Sequence, residues 1–384
     1  MKIAVFTDTY LPQINGVVTS TQTFAHELEK LGHKVLICGP KMKGGTRSTH
    51  KVWRFRSFAF PFQKEHRFIN PFSRKLRRFK KLGIDVIHVQ TPFSMGYLGQ
   101  YLGWKYKIPV VHTYHTHWEE YLHYFPLLHK KLRKTLYILF LAKTFCNRSQ
   151  HVIVPSAQMA EKLIEYGVTT TTTIIPTGIE LNAIPEVSIL HSFRSRFNFS
   201  SEDKIMIFVG RLGSEKNVYF LLEAAAKVMA KISNAKLLIV GDGPELQGLL
   251  AKAQELGVAD HCVFTGYLTH KEVFTAYAAS DVIAFPSMTE TQGLSLLEGL
   301  STQKPAVCIN AMGVKDILRD EKGGFLTDGT VAAFGDRLIQ LLSDSDLYQK
   351  KAQEAYEVAA TFSSVEMTAR LVDVYQQAIK KDGK

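Results

Sequence analysis

Apolar positions in this chain come in short solid runs rather than in the strict alternation of a half-exposed sheet. Residues 2–6 (KIAVF) form the first run, closed by polar Thr7 and Asp8, and predict a strand buried on both faces. A glycine-containing loop at 12–16 (PQING) follows. Residues 20–31 then place Phe24, Ala25, Leu28 and Leu31 at helical spacing, and Gly32 stops the helix. The run at 35–38 (VLIC) is the next strand. Strand, loop, helix and strand make the unit from which parallel sheets are built. Runs at 85–89, 110–113 and 152–155 continue the series. Between 174 and 197 the pattern loosens around Pro176, Gly178 and Pro185, which predicts a connection between domains. A second series follows, with strands at 205–209, 236–240, 262–264, 282–285 and 306–309. Helices are predicted at 218–232, 244–256 and 293–300, and again at 364–380 on Met367, Leu371, Val374 and Tyr375. The whole predicts two consecutive doubly wound α/β domains. Ligands in such sheets sit at the carboxyl ends of the strands, and the crevice between two facing domains is the natural site.

The length of 384 residues fits two domains. With 46% apolar and 21% charged residues, wholesale disorder is excluded. No charge-free apolar stretch reaches the roughly 18 residues of a membrane-spanning helix. The first apolar run is too short for a secretory signal and Asp8 interrupts it, so a cytoplasmic location is expected. Cys38, Cys146, Cys262 and Cys308 form no Cys-x-x-Cys pair, which argues for small buried hydrophobes over a disulfide framework or a zinc knuckle. The net charge of +12 is unevenly spread. Residues 1–180 hold 26 Lys and Arg against 10 Asp and Glu, whereas residues 181–384 hold 21 against 25. Residues 41–82 alone carry 14 basic residues and one acid, Glu65. Such a patch faces nucleic acid, an anionic membrane or acidic substrates. No helix-turn-helix, ribonucleoprotein motif or zinc finger supports nucleic acid.

The sharpest chemistry lies in the second half. The run GRLGSEK at 210–216 directly follows a predicted strand. Arg211 and Lys216 at that strand's carboxyl end can converge on a diphosphate, the Arg as a fork and the Lys as a point charge. A solvated basic loop is the alternative. GDGPE at 241–245 suits a tight strand-to-helix turn. TETQGLSLLEGL at 289–300 follows the strand 282–285, with Glu290 on the loop and Glu298 inside the next helix. Backbone N–H groups near Gly293 and Leu294 would open that helix as an anion site. In the first half, His112, His115 and His117 follow a strand with a spacing open to a metal, to structural histidines or to a ligand contact.

Arg211-x4-Lys216, GDGPE and Glu290-x7-Glu298, in that order and each after a strand, resemble the retaining nucleotide-sugar glycosyltransferases of family 4 (GT4), which have the GT-B fold. The resemblance covers nearly the whole chain. It implies an N-terminal acceptor and membrane-binding domain (1–180), a C-terminal nucleotide-sugar domain (181–363) and a last helix (364–384) packing back on the first. It implies catalytic roles for His115, Arg211, Lys216 and Glu290. It implies nucleotide-sugar contacts from Gly16, Val17, Arg211, Lys216, Gly241, Tyr267, Glu290, Gly293, Leu294 and Glu298. His115 would lie near the donor sugar, with His112 and His117 structural. The sugar would move with retention, the departing phosphate oxygen helping to deprotonate the acceptor hydroxyl. No Asp-x-Asp pair sits among these motifs, so neither a metal nor another cofactor is expected beside the nucleotide-sugar donor.

The acceptor reading starts from the basic belt. Lys75, Arg77, Arg78, Lys80 and Lys81 follow a stretch with Trp53, Phe55, Phe58, Phe60, Phe62, Phe68 and Phe72. Lys130, Lys131, Arg133 and Lys134 alternate with Leu127, Leu128, Leu132 and Leu136. Basic aromatic segments of this kind suit peripheral docking on the cytoplasmic face of an anionic membrane. The runs SMG at 94–96, YHT at 114–116 and TETQGL at 289–294 are similar to those of bacterial diacylglycerol glucosyltransferases. That resemblance implies UDP-glucose as donor and 1,2-diacylglycerol as acceptor. Another acceptor, such as phosphatidylinositol or a soluble molecule, or another donor, such as GDP-mannose, UDP-galactose or UDP-sulfoquinovose, is the alternative.

Overall fold

The computed structural model describes the chain except for residues 14, 42–47, 60–66, 70–72, 74, 116–137, 139–141, 291, 312 and 383–384. It divides into two compact units, one of Met1–Gly178 with Ser364–Lys384, the other of Ile179–Ser363.

The first unit is built on seven parallel strands. β1 (Lys2–Phe6), β2 (Lys34–Pro40), β3 (Lys51–Phe55), β6 (Val86–Val89), β7 (Val110–Thr113), β8 (His151–Val154) and β9 (Thr172–Ile174) lie in the order β3-β2-β1-β6-β7-β8-β9. A small antiparallel pair, β4 (Ser57–Ala59) and β5 (Arg67–Ile69), stands beside it. Alternate side chains of β1 serve opposite cores, because successive residues of a strand point to opposite faces. Ile3 and Val5 pack with Val18, Phe24 and Leu28 of helix α1 (Gly16–Lys30) and with Met367, Leu371, Val374 and Tyr375 of the helix Ser364–Asp382. Ala4 and Phe6 pack on the other side with Phe79, Met95, Leu98 and Leu102. These belong to the short helix α2 (Leu76–Phe79) and to α3 (Ser94–Tyr106). The C-terminal helix is therefore part of the first unit.

The second unit has six parallel strands in the order β12-β11-β10-β13-β14-β15. They are β10 (Lys204–Val209), β11 (Ala235–Val240), β12 (Cys262–Phe264), β13 (Val282–Phe285), β14 (Ala306–Ile309) and β15 (Gly324–Thr327). Met206 and Phe208 pack toward the helix Val218–Met229, Ile205 and Ile207 toward the helices His270–Ala279 and Leu294–Leu300. In each sheet the strand order reverses once, between β1 and β6 and between β10 and β13. A doubly wound sheet opens its crevice at that point, at the carboxyl ends.

Two differences from the sequence reading have local causes. The stretch read as a loose connection contains the helix Val187–Arg196, opened by Pro185 and Glu186 and anchored by buried Phe193. Helix α1 starts at Gly16, four residues before the apolar spacing becomes regular, because the Asn15 side chain accepts a hydrogen bond from Val18 N at 3.0 Å.

Candidate functional site

The two strands at the reversal of the second sheet, β10 and β13, pair in parallel, so the loops that leave them run side by side. After β10 the chain passes Gly210 and Arg211, buries Leu212 and makes one turn of 3-10 helix over Ser214–Lys216. After β13 it passes Pro286 and buried Ser287, reaches Glu290, and enters the helix Leu294–Leu300 through Gly293. The ammonium of Lys216 is ion-paired with the Glu290 carboxylate across the reversal, both side chains largely buried. One residue on, Asn217 Nδ2 donates to Pro286 O at 3.4 Å. Residues 74 positions apart in the sequence thus form one edge.

Gly293 sits at φ +84°, which lets the chain reverse directly into the helix. The first N–H groups of that helix have no acceptor within it, and its amino end carries partial positive charge. In the neighbouring turn, Gly241 has φ +136°, and a Cβ there would stand 1.9 Å from Gly210 O. Only glycine lets the turn after β11 approach the one after β10. Tyr267, on the loop after β12, is 71% exposed.

Arg211 and Glu298 lie on the loop and the helix where the sequence puts them, and each meets a charged group of the protein. Arg211 is half exposed and its Nε and Nη2 donate to Glu215 Oε1 at 3.3 and 2.9 Å, within its own loop. Glu298 Oε1 lies 3.7 Å from His270 Nε2, and the carboxylate raises the pKa of that imidazole against the opposing effect of burial. The buried Tyr277 feels the charge of both glutamates. Burial raises its pKa well above the usual value, Glu298 and Glu290 add to the rise, and its hydroxyl donates to Ser295 O at 2.5 Å. The chain's one Asp-x-Asp pair lies elsewhere, where Asp344 Oδ1 accepts from Leu347 N at 3.0 Å and caps the helix Ser345–Ala360.

In the first unit His115 leaves the carboxyl end of β7, and its Nε2 meets Gln90 Oε1 at 2.5 Å. An amide oxygen only accepts, so Nε2 carries the proton and Nδ1 keeps a lone pair. Burial pushes the pKa of His115 down to about 3, with His112 adding to the fall. His112 is buried at about 4, its Nδ1 on Val89 O at 3.0 Å and its ring edge-on to Phe145. His88 is held between Tyr375 Oη and Thr113 Oγ1, both at 2.6 Å. Gly16 and Val17 form the first turn of α1.

Sequence reasoning missed Gln90 and Asp8. Asp8 is buried at the reversal of the first sheet. It accepts from Thr91 Oγ1 and Ser94 Oγ at 2.6 Å and from Met95 N at 2.8 Å, which caps α3 from across the sheet. Burial raises its pKa and these donors oppose the rise. A carboxylate at the first residue but one after a solid apolar run was the available signal. Gln90 has no signal in its neighbours.

Of the basic belt, Arg77, Arg78, Lys80 and Lys81 are exposed. Lys75 is turned inward, its ammonium donating to Arg54 O at 2.9 Å. Arg54 itself donates to Leu11 O at 2.9 Å and lies over the Tyr10 ring. Lys130, Lys131, Arg133 and Lys134, like His117, lie outside the described residues.

Family models for "Glycosyltransferase Family 4" and "Glycosyl transferases group 1" match residues 14–183 and 191–358. The alpha-monoglucosyldiacylglycerol synthase of Streptococcus pneumoniae is 35% identical over 94% of this chain and 83% of its own. That of Acholeplasma laidlawii is 31% identical over 80% of each. Among solved structures, Anabaena HepE in complex with UDP and glucose superposes with a TM-score of 0.78 at 18% identity, over 98% of this chain and all of that one. The two parallel-sheet units, the ordered motifs at their carboxyl edges and these matches place the chain in glycosyltransferase family 4, with the GT-B fold.

Proposed function

We propose that the protein is a retaining hexosyltransferase that moves glucose from UDP-glucose to the free hydroxyl of 1,2-diacylglycerol at an anionic membrane surface, giving an α-glucosyl lipid. The observation that carries the proposal is the Lys216–Glu290 pair at the β10/β13 reversal, beside the amino end of the Leu294–Leu300 helix. Relatives named alpha-monoglucosyldiacylglycerol synthases, matched over most of their own length, support the acceptor.

The chemistry assigns each group a task. A sugar leaving its carrier develops oxocarbenium character, and negative charge builds on the departing diphosphate. Lys216, exchanging Glu290 for a phosphate oxygen, stabilises that charge, and Arg211 does the same by swinging off Glu215. Each contributes on the order of 2–4 kcal/mol, as a lost oxyanion donor costs in other enzymes. The amino end of the Leu294–Leu300 helix adds its N–H groups. Glu290, released from Lys216, accepts from sugar hydroxyls, and Glu298 from the ribose. His115, neutral and with Nδ1 free of the proton, accepts a hydroxyl of the donor sugar without adding charge near the anomeric carbon. The leaving phosphate oxygen takes the acceptor proton, so no separate base is required.

No helix among the described residues is long and apolar enough to cross a membrane. Exposed Arg77, Arg78, Lys80 and Lys81 supply attraction to anionic lipid instead, about 1 kcal/mol each near the surface. The test is a panel of UDP-glucose, UDP-galactose and GDP-mannose offered with vesicles of phosphatidylglycerol and diacylglycerol, read by mass spectrometry. Hexosyl-diacylglycerol from UDP-glucose alone supports the reading. Transfer from another donor, or to a soluble acceptor only, overturns it.

A further inference from the structure

Helix α3 carries the feature that the transfer reaction leaves unexplained. Its inner face is made small: Cβ atoms at Gly96 and Gly103 would lie 2.1 Å from Thr91 O and 2.4 Å from Val110 Cγ2, so the helix lies directly on the sheet. Its outer face is aromatic. Tyr97, Tyr101 and Trp104 follow at i, i+4 and i+7, one stripe of a helix. Tyr101 is 49% and Trp104 79% exposed, their rings 6.1 Å apart. The outward face of a helix in a soluble α/β domain is ordinarily polar.

A cationic border accompanies the stripe. Lys105 Nζ stands over the Tyr101 and Tyr106 rings at 5.5 and 5.6 Å. Tyr106 stacks at 6.3 Å on Phe79 of α2, which brings the exposed Arg77, Arg78, Lys80 and Lys81 to the end of α3. From residue 75 to 107 there are seven Lys and Arg and one acid, Asp85, whose carboxylate is taken by Lys2 N at 2.6 Å.

We propose that the outer face of α3 is the surface that lies in the headgroup layer of an anionic bilayer, with Trp104 and Tyr101 inserted and the α2 cations on the lipid phosphates. Tryptophan and tyrosine present an apolar body and a polar tip, which suits the headgroup boundary better than either water or hydrocarbon. Interspersed cations without acids complement an anionic lipid surface. The placement is also productive. The Ser94 end of α3 meets Asp8 at the carboxyl edge of the sheet, where His115 also emerges, so a helix lying flat keeps that edge beside the membrane. The inference rests on the membrane reading of the function and names the element that performs it.

The experiment uses the full chain with Trp53→Phe and Trp118→Phe, leaving Trp104 as the only tryptophan. Its emission is followed while phosphatidylglycerol vesicles, and separately phosphatidylcholine vesicles, are added, with brominated acyl chains as quencher and sedimentation in parallel. A blue shift and quenching with the anionic vesicles are expected, and Trp104→Ser in the wild-type background should weaken sedimentation roughly tenfold or more with an unchanged thermal midpoint. Sedimentation with unquenched Trp104 overturns the assignment to α3 and leaves the membrane reading standing. No sedimentation overturns both. A shift of Trp104 emission with protein concentration alone, before vesicles are added, shows a protein partner on this face and overturns the proposal. If the double variant does not fold, sedimentation of Trp104→Ser and Tyr101→Ser alone decides: wild-type binding by both overturns it.

Discussion

Lys216 and Glu290 each meet the other's charge in this structure, so removing either is more than deleting a contact. Lys216→Ala leaves a largely buried carboxylate without its cation and deletes the proposed phosphate ligand. We expect kcat/KM to fall about 10²- to 10³-fold, and UDP affinity by calorimetry to fall with it, while the far-ultraviolet circular dichroism is unchanged. Gln90 acts one step back. It holds the Nε2–H tautomer of His115, so Gln90→Leu should lower kcat by about tenfold or more with little change in KM for the donor. A purely structural Gln90 would move the melting temperature and leave kcat intact. The buried imidazoles add a dependence on pH. His112 and His115 sit at about 4 and about 3, below the ~6.5 of an exposed imidazole. Between those values the unfolded chain takes up protons that the folded one refuses. Their stabilising effect is complete above about pH 6.5 and is lost as pH falls. His112→Leu should flatten the pH dependence of the urea unfolding free energy, below about pH 6, by about 1.4 kcal/mol per pH unit. An unchanged slope would show that His112 titrates normally.

At the scale of elements, the glycine turns and the strand reversals decide where chemistry collects. Gly241 and Gly257 both have positive φ, but only Gly241 meets backbone, at Gly210 O, and nothing lies within 4 Å of a Cβ at Gly257. Gly257→Ala should cost about 1 kcal/mol in urea unfolding, and Gly241→Ala about 3 kcal/mol or more, because strain and collision add. Equal costs would mean that the β11 turn is not held against the β10 turn. The strands of both sheets could be read from solid apolar runs such as 2–6, 236–240 and 282–285, since a strand buried on both faces has no polar alternation to hide it. The Lys216 and Glu290 loops were legible because each directly follows such a strand. What local sequence could not carry was partner choice. Arg211 turns to Glu215, four residues on, and Glu298 to His270, and Asp8 finds Thr91 and Ser94 across the sheet. The partners of Glu298 and Asp8 depend on which loops the strand order makes neighbours, whereas Arg211 is taken by an acid of its own loop. The basic belt shows the same limit, since charge counting treats Lys75 like Lys80 although Lys75 is spent on Arg54 O.

Over the whole molecule, charge is divided by domain: the first 180 residues carry the positive excess and the remainder is slightly acidic. The proposed attachment to lipid should therefore weaken steeply with salt, as surface charges are screened beyond roughly 8 Å at physiological ionic strength. Replacing Arg77, Arg78, Lys80 and Lys81 together with Gln should weaken sedimentation with phosphatidylglycerol vesicles by about 4 kcal/mol, with UDP affinity unchanged; wild-type sedimentation would show that the belt faces something else. The central claim is that fixed positive charge at the β10/β13 reversal lets glucose leave UDP for a lipid hydroxyl. The most direct test is transfer of radiolabel from UDP-[14C]glucose to diacylglycerol in anionic vesicles, with wild type and Lys216→Ala side by side. The account predicts chloroform-extractable α-glucosyl-diacylglycerol with the wild type and at least about 10²-fold less with the variant. Label that never enters lipid, or enters it equally fast without Lys216, would contradict it.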